Sequence, residues 1–522
     1  MEDIFNNEKS KNKTRCCLVK KMYHVKGIFY RKENEKDDKK QNPFSLIFIS
    51  DSTQDSDKKE LFCHFKLSEK ENEGIKHCYG SFLPCCKKEL NKKYIFESKN
   101  IMFIIERSYY MKKSAIEIFT YDPYKSYYFN FIDKCDIDKY AKSKNFHKIE
   151  DNNNNIILYY NKYYSPMLFP FIKQKKLNLE EMPKFYNNYD LLTIINILAN
   201  RSYKDLLQYP VFPFLYKHCG IDERLGDYKE RDMSEHVGLQ PFKSSKDDTI
   251  KGYIGDGYEY EGEDEYDDNG KKVKKHLFNS YFSNPAYVSY YMIRLFPYAL
   301  VGIKIQGTYF DNPNRLFRCI KSTAEISIIQ KSDNREFISE LYYLPDIFIN
   351  RNEFFLGIHI KGEEKEVINN CFIKDPKENN YKKYEFSAKI KNELEFDDLG
   401  VDKWIDLLFG YKQKSYSYKK DGLEQELDYY PEYMEKDFYK GNKIKSDAKI
   451  ILDQLDFGML PYQIYKKNNP IVDKSPLYTK IKHFNEKQFA LEHKVLANYK
   501  IIDDCFECSG SENIIMVIII GL

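Results

Sequence analysis

"RSYKDLLQYPVFPFL", residues 201–215, carries two prolines three positions apart, aromatics on both sides of them, and Arg201 and Asp205 upstream. Pro210 and Pro213 lack an N–H, and each biases its predecessor away from the helical region, so Tyr209 to Phe214 are predicted to be extended. A central strand suits them badly, because the missing donors would leave acceptors unpaired across the ladder. What remains is an extended apolar peptide buried without a regular sheet, its carbonyls satisfied by side chains and water. The stretch therefore predicts an irregular core, with Tyr209 and Phe212 inside it.

On either side of this stretch the sequence is more regular. "SNPAYVSYYMIRLFP" (283–297) reads as a helix: Asn284 can cap, Pro285 suits the first turn, and Val288, Tyr291, Met292 and Leu295 repeat at helical spacing. Its other side, with Tyr287, Tyr290 and Ile293, is apolar too, so the helix should be enclosed and Arg294 should need a partner. "DKWIDLLFG" (402–410) places Trp404, Leu407 and Leu408 on one face, Trp404 as core, and Gly410 as a stop. Towards the N-terminus, "CCLVKKMYHVKGIFY", "FSLIFIS", "LFCHFKL", "IMFIIERSYYM", "AIEIFTY" and "KSYYFNF" alternate with polar loops, the spacing of a small antiparallel barrel or sandwich.

The domain plan is a polar tail at 1–13, a β-rich domain at 14–134, a polar linker at 135–178, a second domain at 179–472 with an acidic loop at 245–275, and a C-terminal extension at 473–522. The 522 residues favour two or three domains, and 42% hydrophobic with 16% aromatic residues is enough to bury several apolar layers. A net charge of +3, from 83 basic and 80 acidic residues, gives no global footprint for nucleic acid. "MEDIFNNEKSKNK" lacks the apolar core of a secretory signal, so the 12 cysteines are expected as reduced thiols in a cytoplasmic protein. No apolar run is long enough to span a bilayer, and "IIMVIIIGL" (514–522) reads as a buried or pairing strand.

Motifs for chemistry are sparse. "GYIGDGYEYEG" (252–262) lacks the Lys-Ser/Thr pair of a phosphate cradle and its acidic neighbours repel phosphate, so it reads as a loop. Cys63-His64, His77-Cys78 and Cys85-Cys86 would bind zinc only if four of them converged tetrahedrally, and Cys505 and Cys508 form a lone C-x-x-C. The favoured reading is thiols acting as small hydrophobes, with no metal and no cofactor. There is no G-x-S-x-G, H-E-x-x-H or P-loop, and His236 and His276 read as structural groups, so an enzyme is not expected.

"NILANRSYKDLLQYPVFPFL" (196–215) resembles the most recognisable segment of the BEACH domain family. "RDMSEHVG" (231–238), "YFSNPAYVSYYMIRLFPY" (281–298), "FDNPNRLF" (310–317), "EFISELYYLPDIFINRNEFFLG" (336–357), "KWIDLLFGYKQK" (403–414) and "FGMLPYQIYKKNNP" (457–470) resemble later segments in the same order. "LVKKMYHVKGIFY" (18–30) and "IERSYYMKKSAIEIFTYDPYKSYYFNF" (105–131) resemble the PH-like domain that precedes BEACH. The resemblance implies an α+β chain: an N-terminal PH-like β-sandwich or barrel packed on a mainly helical BEACH domain with extended irregular core segments. It further implies a non-enzymatic scaffold in membrane and vesicle traffic, lysosome-related or autophagic, cytoplasmic or peripheral on endosomal or lysosomal membranes, with trafficking proteins as partners and no nucleic acid.

On this reading partners bind at the groove between the two domains. The residues expected there, or in the polar core of the domain, are Asn196, Arg201, Ser202, Asp205, Arg231, Asp232, Arg294, Asp311, Arg315 and Asp406. Charges embedded in apolar segments more commonly pair with one another, and that structural role stands beside the binding one. The alternative function is a phosphoinositide-binding module acting through the first domain, with Lys20, Lys21 and Lys26 towards lipid.

This chain departs from the family pattern, with Asn200 where Gly is usual, Lys204 for Asn, Phe214 for Trp and Phe296 for Glu. BEACH proteins typically continue into a WD-repeat propeller, and about fifty residues follow Pro470. The expectation is a shortened chain or one whose end pairs with a partner.

Overall fold

The computed structural model describes residues 13–20, 23–33, 44–50, 92–121, 125–132, 135–151, 156–164, 172–173, 176–177, 186–215, 283–295, 298–305, 310, 313–329, 335–350, 353–372, 383–396, 401–413, 416–420, 423–427 and 458–465. The Cys63 to Cys86 group, "LFCHFKL", the acidic loop, Arg231, Asp232, Phe296, Asp311, Cys505 and Cys508 lie outside these residues, as do the side chains of Lys20, Lys21 and Lys26.

The N-terminal part is one antiparallel sheet. Its strands are β1 (Thr14–Lys20), β2 (Tyr23–Glu33), β3 (Phe44–Ser50), β4 (Lys93–Glu97), β5 (Ile101–Tyr109), β6 (Lys112–Thr120), β7 (Lys125–Phe131), β8 (Phe146–Glu150) and β9 (Ile157–Asn161). They lie in the order β4-β3-β2-β1-β7-β6-β5-β9-β8. Neighbouring strands lie about 4.8 Å apart, which would separate β4 from β7 by about 19 Å in a flat sheet. Yet the Phe96 ring on β4 is 4.8 Å from Tyr127 and 5.8 Å from Phe129, both on β7. The sheet therefore rolls over on itself, with Phe29, Phe48, Phe96 and Phe129 packed inside the roll.

Residues 135–151 and 156–164, within the stretch read as a linker, contribute to this body. Helix α1 (Ile137–Ala141), capped by Asp136, stacks Tyr140 on Phe131 with ring centroids 5.2 Å apart. Strand β9 pairs with β5, and β8 with β9. The polar run "EDNNNN" hid two short strands, whose apolar residues Phe146, Ile149, Leu158 and Tyr160 are buried.

The second part holds α2 (Asn188–Leu198), α3 (Pro285–Tyr291), α4 (Tyr298–Ile305), α5 (Ile320–Ile329), α6 (Lys383–Phe396) and α7 (Val401–Leu408). Between them run 3-10 turns and extended segments, with small hairpins at Ile358–Lys361/Glu364–Val367 (β12, β13) and Tyr416–Lys420/Leu423–Leu427 (β14, β15); a further pair, Ile172–Lys173/Lys176–Leu177 (β10, β11), precedes α2. The described residues thus combine a large antiparallel sheet with short helices, an α+β arrangement. Asn284 caps α3 as the sequence predicts, its side chain accepting from Tyr287 N at 2.9 Å. The helix stops at Tyr291 rather than reaching Leu295, and its Tyr287 and Tyr290 side is covered in part by Arg335, whose guanidinium lies 5.2 and 4.3 Å from the two rings.

The stretch that opens the sequence reading is buried throughout and extended from Tyr209 on, with Tyr209, Phe212 and Phe214 fully inside. Several of its backbone groups find partners outside the stretch. Phe212 N donates to Phe337 O at 2.9 Å in a lone bridge, Phe214 N donates to Glu336 Oε2 at 2.6 Å, and Tyr342 OH donates to Pro213 O. Val211 pairs with the Asn196 side chain, donating to its Oδ1 and accepting from its Nδ2, each at 3.0 Å. Both prolines therefore fall where no donor is called for, which is why a Pro-broken peptide can sit at the centre of the core.

Candidate functional site

The densest polar arrangement among the described residues lies where the sheet meets α2 and the chain that follows. On the sheet, Ile105 pairs with Glu117 and Arg107 with Ala115, which makes Arg107 and Glu117 diagonal neighbours on one face. Their ion pair is closed at 2.7 Å with both side chains fully buried, and Arg107 Nε adds a hydrogen bond of 2.9 Å to the same oxygen. A charge pair this dry is costly unless its remaining donors and acceptors find partners. They are found across the junction: Arg107 donates to Ile197 O at the end of α2, and Ser202 Oγ donates to Glu117 Oε1 at 3.0 Å.

Ser108 is the second anchor. The β5 ladder to β6 shifts register between Arg107 and Tyr109, and β9 pairs with β5 only from Phe103 to Ile105. The backbone of Ser108 is thereby left for the second part of the chain. Its N–H donates to Asn200 Oδ1 at 3.0 Å, and its carbonyl accepts from Gln208 Nε2 at 2.7 Å and from Asn200 Nδ2 and Tyr128 OH at 3.3 Å each. Ser108 Oγ also bonds Tyr462 OH, from the last described segment. Asn200 and Gln208 thus stand where a further strand would be.

Local chemistry explains how residues 196–208 hold this shape. Asn200 has φ +69°, the left-handed region in which Gly and Asn are the usual occupants. Asn here holds the turn and adds a side chain that grips Ser108. Asp205 caps the 3-10 turn Leu206–Gln208, accepting from Leu207 N at 3.0 Å, and also accepts from Gln208 Nε2 at 3.0 Å. Burial pushes the Asp205 carboxyl upward, against those two bonds and the Arg201 charge, and Glu117 adds to the rise. Arg201 donates to Leu207 O at 3.4 Å and to Met459 O, drawing the 458–465 segment onto the turn.

The seam therefore gathers Arg201, Ser202 and Asp205, with Asn196 behind it bonded to Val211; all four are residues expected at a partner-binding groove or in the polar core, and all are at most 2% exposed. Arg294 lies apart, fully buried, donating to Phe317 O at 2.6 Å and Asn369 O at 2.7 Å. Asp406 is buried in α7 beneath Gly410, where an added Cβ would come within 2.5 Å of the Asp406 Cα. Arg315, ending a 3-10 turn, is exposed. Trp404, Tyr209 and Phe212 are buried in the core. Sequence reasoning passed over Arg107, Glu117, Ser108, Gln208 and Tyr462. The available signal was Arg and Glu inside "IMFIIERSYYM" and "AIEIFTY", runs too apolar to leave a charge at the surface.

Around α2 lies a second polar knot. Glu395 of α6 accepts from Asn188 N at 2.7 Å and Tyr189 N at 2.9 Å, capping α2 from outside, while Asn187 caps it from within. Burial pushes the adjacent Asp190 carboxyl up to about 7, opposed by Lys391 and reinforced by Glu395. None of these groups is set up as a nucleophile with a base beside it. The arrangement fixes one part of the chain on the other, and among the described residues no cluster of His, Cys, Asp and Glu is placed to hold a metal ion.

Comparison with known proteins bears on what is fixed in this way. The Beige/BEACH domain profile matches residues 183–471. BEACH domain-containing protein B of Arabidopsis thaliana is 31% identical over 292 residues, 54% of this chain and 10% of that protein. The human lysosomal-trafficking regulator is 30% identical over 232 residues, 44% of this chain and 6% of that protein. BEACH domain-containing protein lvsE of Dictyostelium discoideum is 26% identical over 396 residues, 73% of this chain and 16% of that protein. The chain thus spans a small fraction of the length of the curated relatives it matches.

Proposed function

Because the chain belongs to the Beige/BEACH domain family, we propose that it is a non-enzymatic scaffold in membrane and vesicle traffic, acting in the cytoplasm and at the surface of endosomal or lysosomal membranes. The family match over 183–471 carries the reading, and the human relative's name, lysosomal-trafficking regulator, supplies the process. The rolled sheet is the PH-like domain of this reading, and the seam is its mount on the BEACH domain. With Arg107, Glu117, Asn200 and Ser202 bonded across the junction and buried, the seam holds two surfaces in one relative orientation. Protein partners of the trafficking machinery then engage the outer surfaces that flank it. The buried seam residues act indirectly, by setting that geometry.

The experiment is proximity labelling by the full chain in its own cells, beside a seam-breaking Ser202→Trp variant whose folding is checked separately. Enrichment of trafficking proteins that is lost in a still-folded variant supports the reading. Equal labelling by both, or a neighbourhood without trafficking proteins, rejects it.

A further inference from the structure

We propose that the corner of the sheet where β5 begins and β9 ends docks on an anionic lipid bilayer. Four short segments meet there, 98–100, 121, 142–145 and 162–164. Tyr121 N donates to Asn100 O at 2.9 Å, Tyr164 OH donates to Lys99 O at 3.0 Å, and Lys162 N donates to Asn145 O at 3.0 Å. Asn161, 1% exposed, ties them together, its Nδ2 donating to Ser98 O at 3.2 Å and Ile101 O at 2.9 Å while its Oδ1 accepts from Tyr163 N at 3.2 Å. The corner is therefore ordered before any partner arrives, so little ordering entropy is lost on contact.

What it presents is basic and aromatic. The residues 98–100, 121, 142–145 and 162–164 include four lysines, Lys99, Lys142, Lys144 and Lys162, and the nearest carboxylates along the chain are Glu97 and Asp122. Glu97, just outside, pairs with Lys99 at 2.8 Å on an open surface. Beside them Tyr163 is 67% exposed and Tyr121 39% exposed, Tyr121 stacked on Tyr164 with ring centroids 5.1 Å apart. Leaving large rings in water next to cations costs apolar burial that the roll could have taken. Tyrosine is at home at the headgroup level, where ring and hydroxyl meet different media. Lysines there gain from the negative surface potential. Because the side chains stand on turns at the same end of neighbouring strands, a broad anionic surface meets several of them at once.

The proposal stands apart from the scaffold reading, since it needs no protein partner. The test is flotation of the full chain with phosphatidylcholine vesicles and with vesicles carrying phosphatidylserine, at low and high salt. Binding is expected only with the anionic vesicles and should fade with salt. Lys99→Glu/Lys144→Glu/Lys162→Glu together should weaken it about tenfold or more, by the loss of three surface cations. Tyr163→Ser should weaken it without moving the thermal midpoint, and Lys365→Glu, on the exposed strand β13, should leave it unchanged. No flotation, or the same loss from Lys365→Glu, overturns the proposal. Capture of polyglutamate by a chain that ignores vesicles assigns the corner to an acidic protein segment and overturns it equally.

Discussion

The side chain of Asn196 pairs with the backbone of Val211 as one strand residue pairs with another: its Oδ1 accepts from Val211 N and its Nδ2 donates to Val211 O, both at 3.0 Å. A third bond, from Nδ2 to Leu192 O at 2.8 Å, fixes the rotamer within α2. One amide thus stands in for an absent strand beside a peptide whose prolines forbid a regular one.

Asn196→Leu keeps the volume and removes the pairing, leaving the Val211 N–H and C=O buried and unmatched. The expected loss is about 3 kcal/mol, since each orphaned buried group costs about 1–3 kcal/mol. Urea denaturation of the full chain measures it, and a change under 1 kcal/mol would mean that water enters the site.

The dry pair Arg107–Glu117 makes an asymmetric prediction. Arg107→Met alone should cost about 3–5 kcal/mol, because Glu117 is left charged in the core. Arg107→Met with Glu117→Leu should recover much of this, although Ser202 loses its acceptor. A double-mutant cycle decides, and additive losses would show that the two charges do not sense each other.

At Asn200 the left-handed backbone and the grip on Ser108 separate cleanly. Asn200→Gly keeps the backbone and loses only the side-chain bonds, whereas Asn200→Ala adds a left-handed cost of about 1–2 kcal/mol. Thermal midpoints should fall in the order Asn, Gly, Ala. Gly at or above Asn would show that the bonds to Ser108 add no stability.

Asp190 sets a pH dependence. Its folded value of about 7 lies above the ordinary 3.8, so between them the folded chain keeps a proton that the unfolded chain releases. The stability from this group is full at low pH and is lost as pH rises through about 7. Asp190→Asn should therefore match the parent at about pH 4 and gain on it up to about pH 7, with no further gain beyond. Denaturation midpoints across that range that run parallel for the two proteins would refute it.

Much of this fold was legible because local rules decide it. Pro210 and Pro213 announce an extended core peptide, Asn284-Pro285 announces a helix start, and "FSLIFIS" is a strand to the residue. The strands β8 and β9 were not, because five residues each beside an asparagine run carry too short a pattern to stand out. The seam was legible on one side only. Arg201, Ser202 and Asp205 stand out as polar residues in an apolar stretch, but Glu117 is 85 positions from Ser202, and no spacing rule links them. Asn200 could be seen to tolerate its backbone; that its amide would reach Ser108, 92 positions back, could not.

The closure of the seam by its last described segment has a consequence in time. Tyr462 follows Ser108 by 354 positions, and Met459 follows Arg201 by 258. At the usual pace of synthesis, about 5–20 residues per second, Ser108 waits roughly 20–70 s for its final partner to leave the ribosome. Residues 197–208 cover the charged pair and the Ser108 backbone early, whereas the bonds of Ser108 Oγ to Tyr462 and of Arg201 to Met459 form only after that interval. The seam thus closes in two stages separated by about 250 residues of synthesis: a first set of bonds within residues 107–208, and a last set that waits for Met459 and Tyr462.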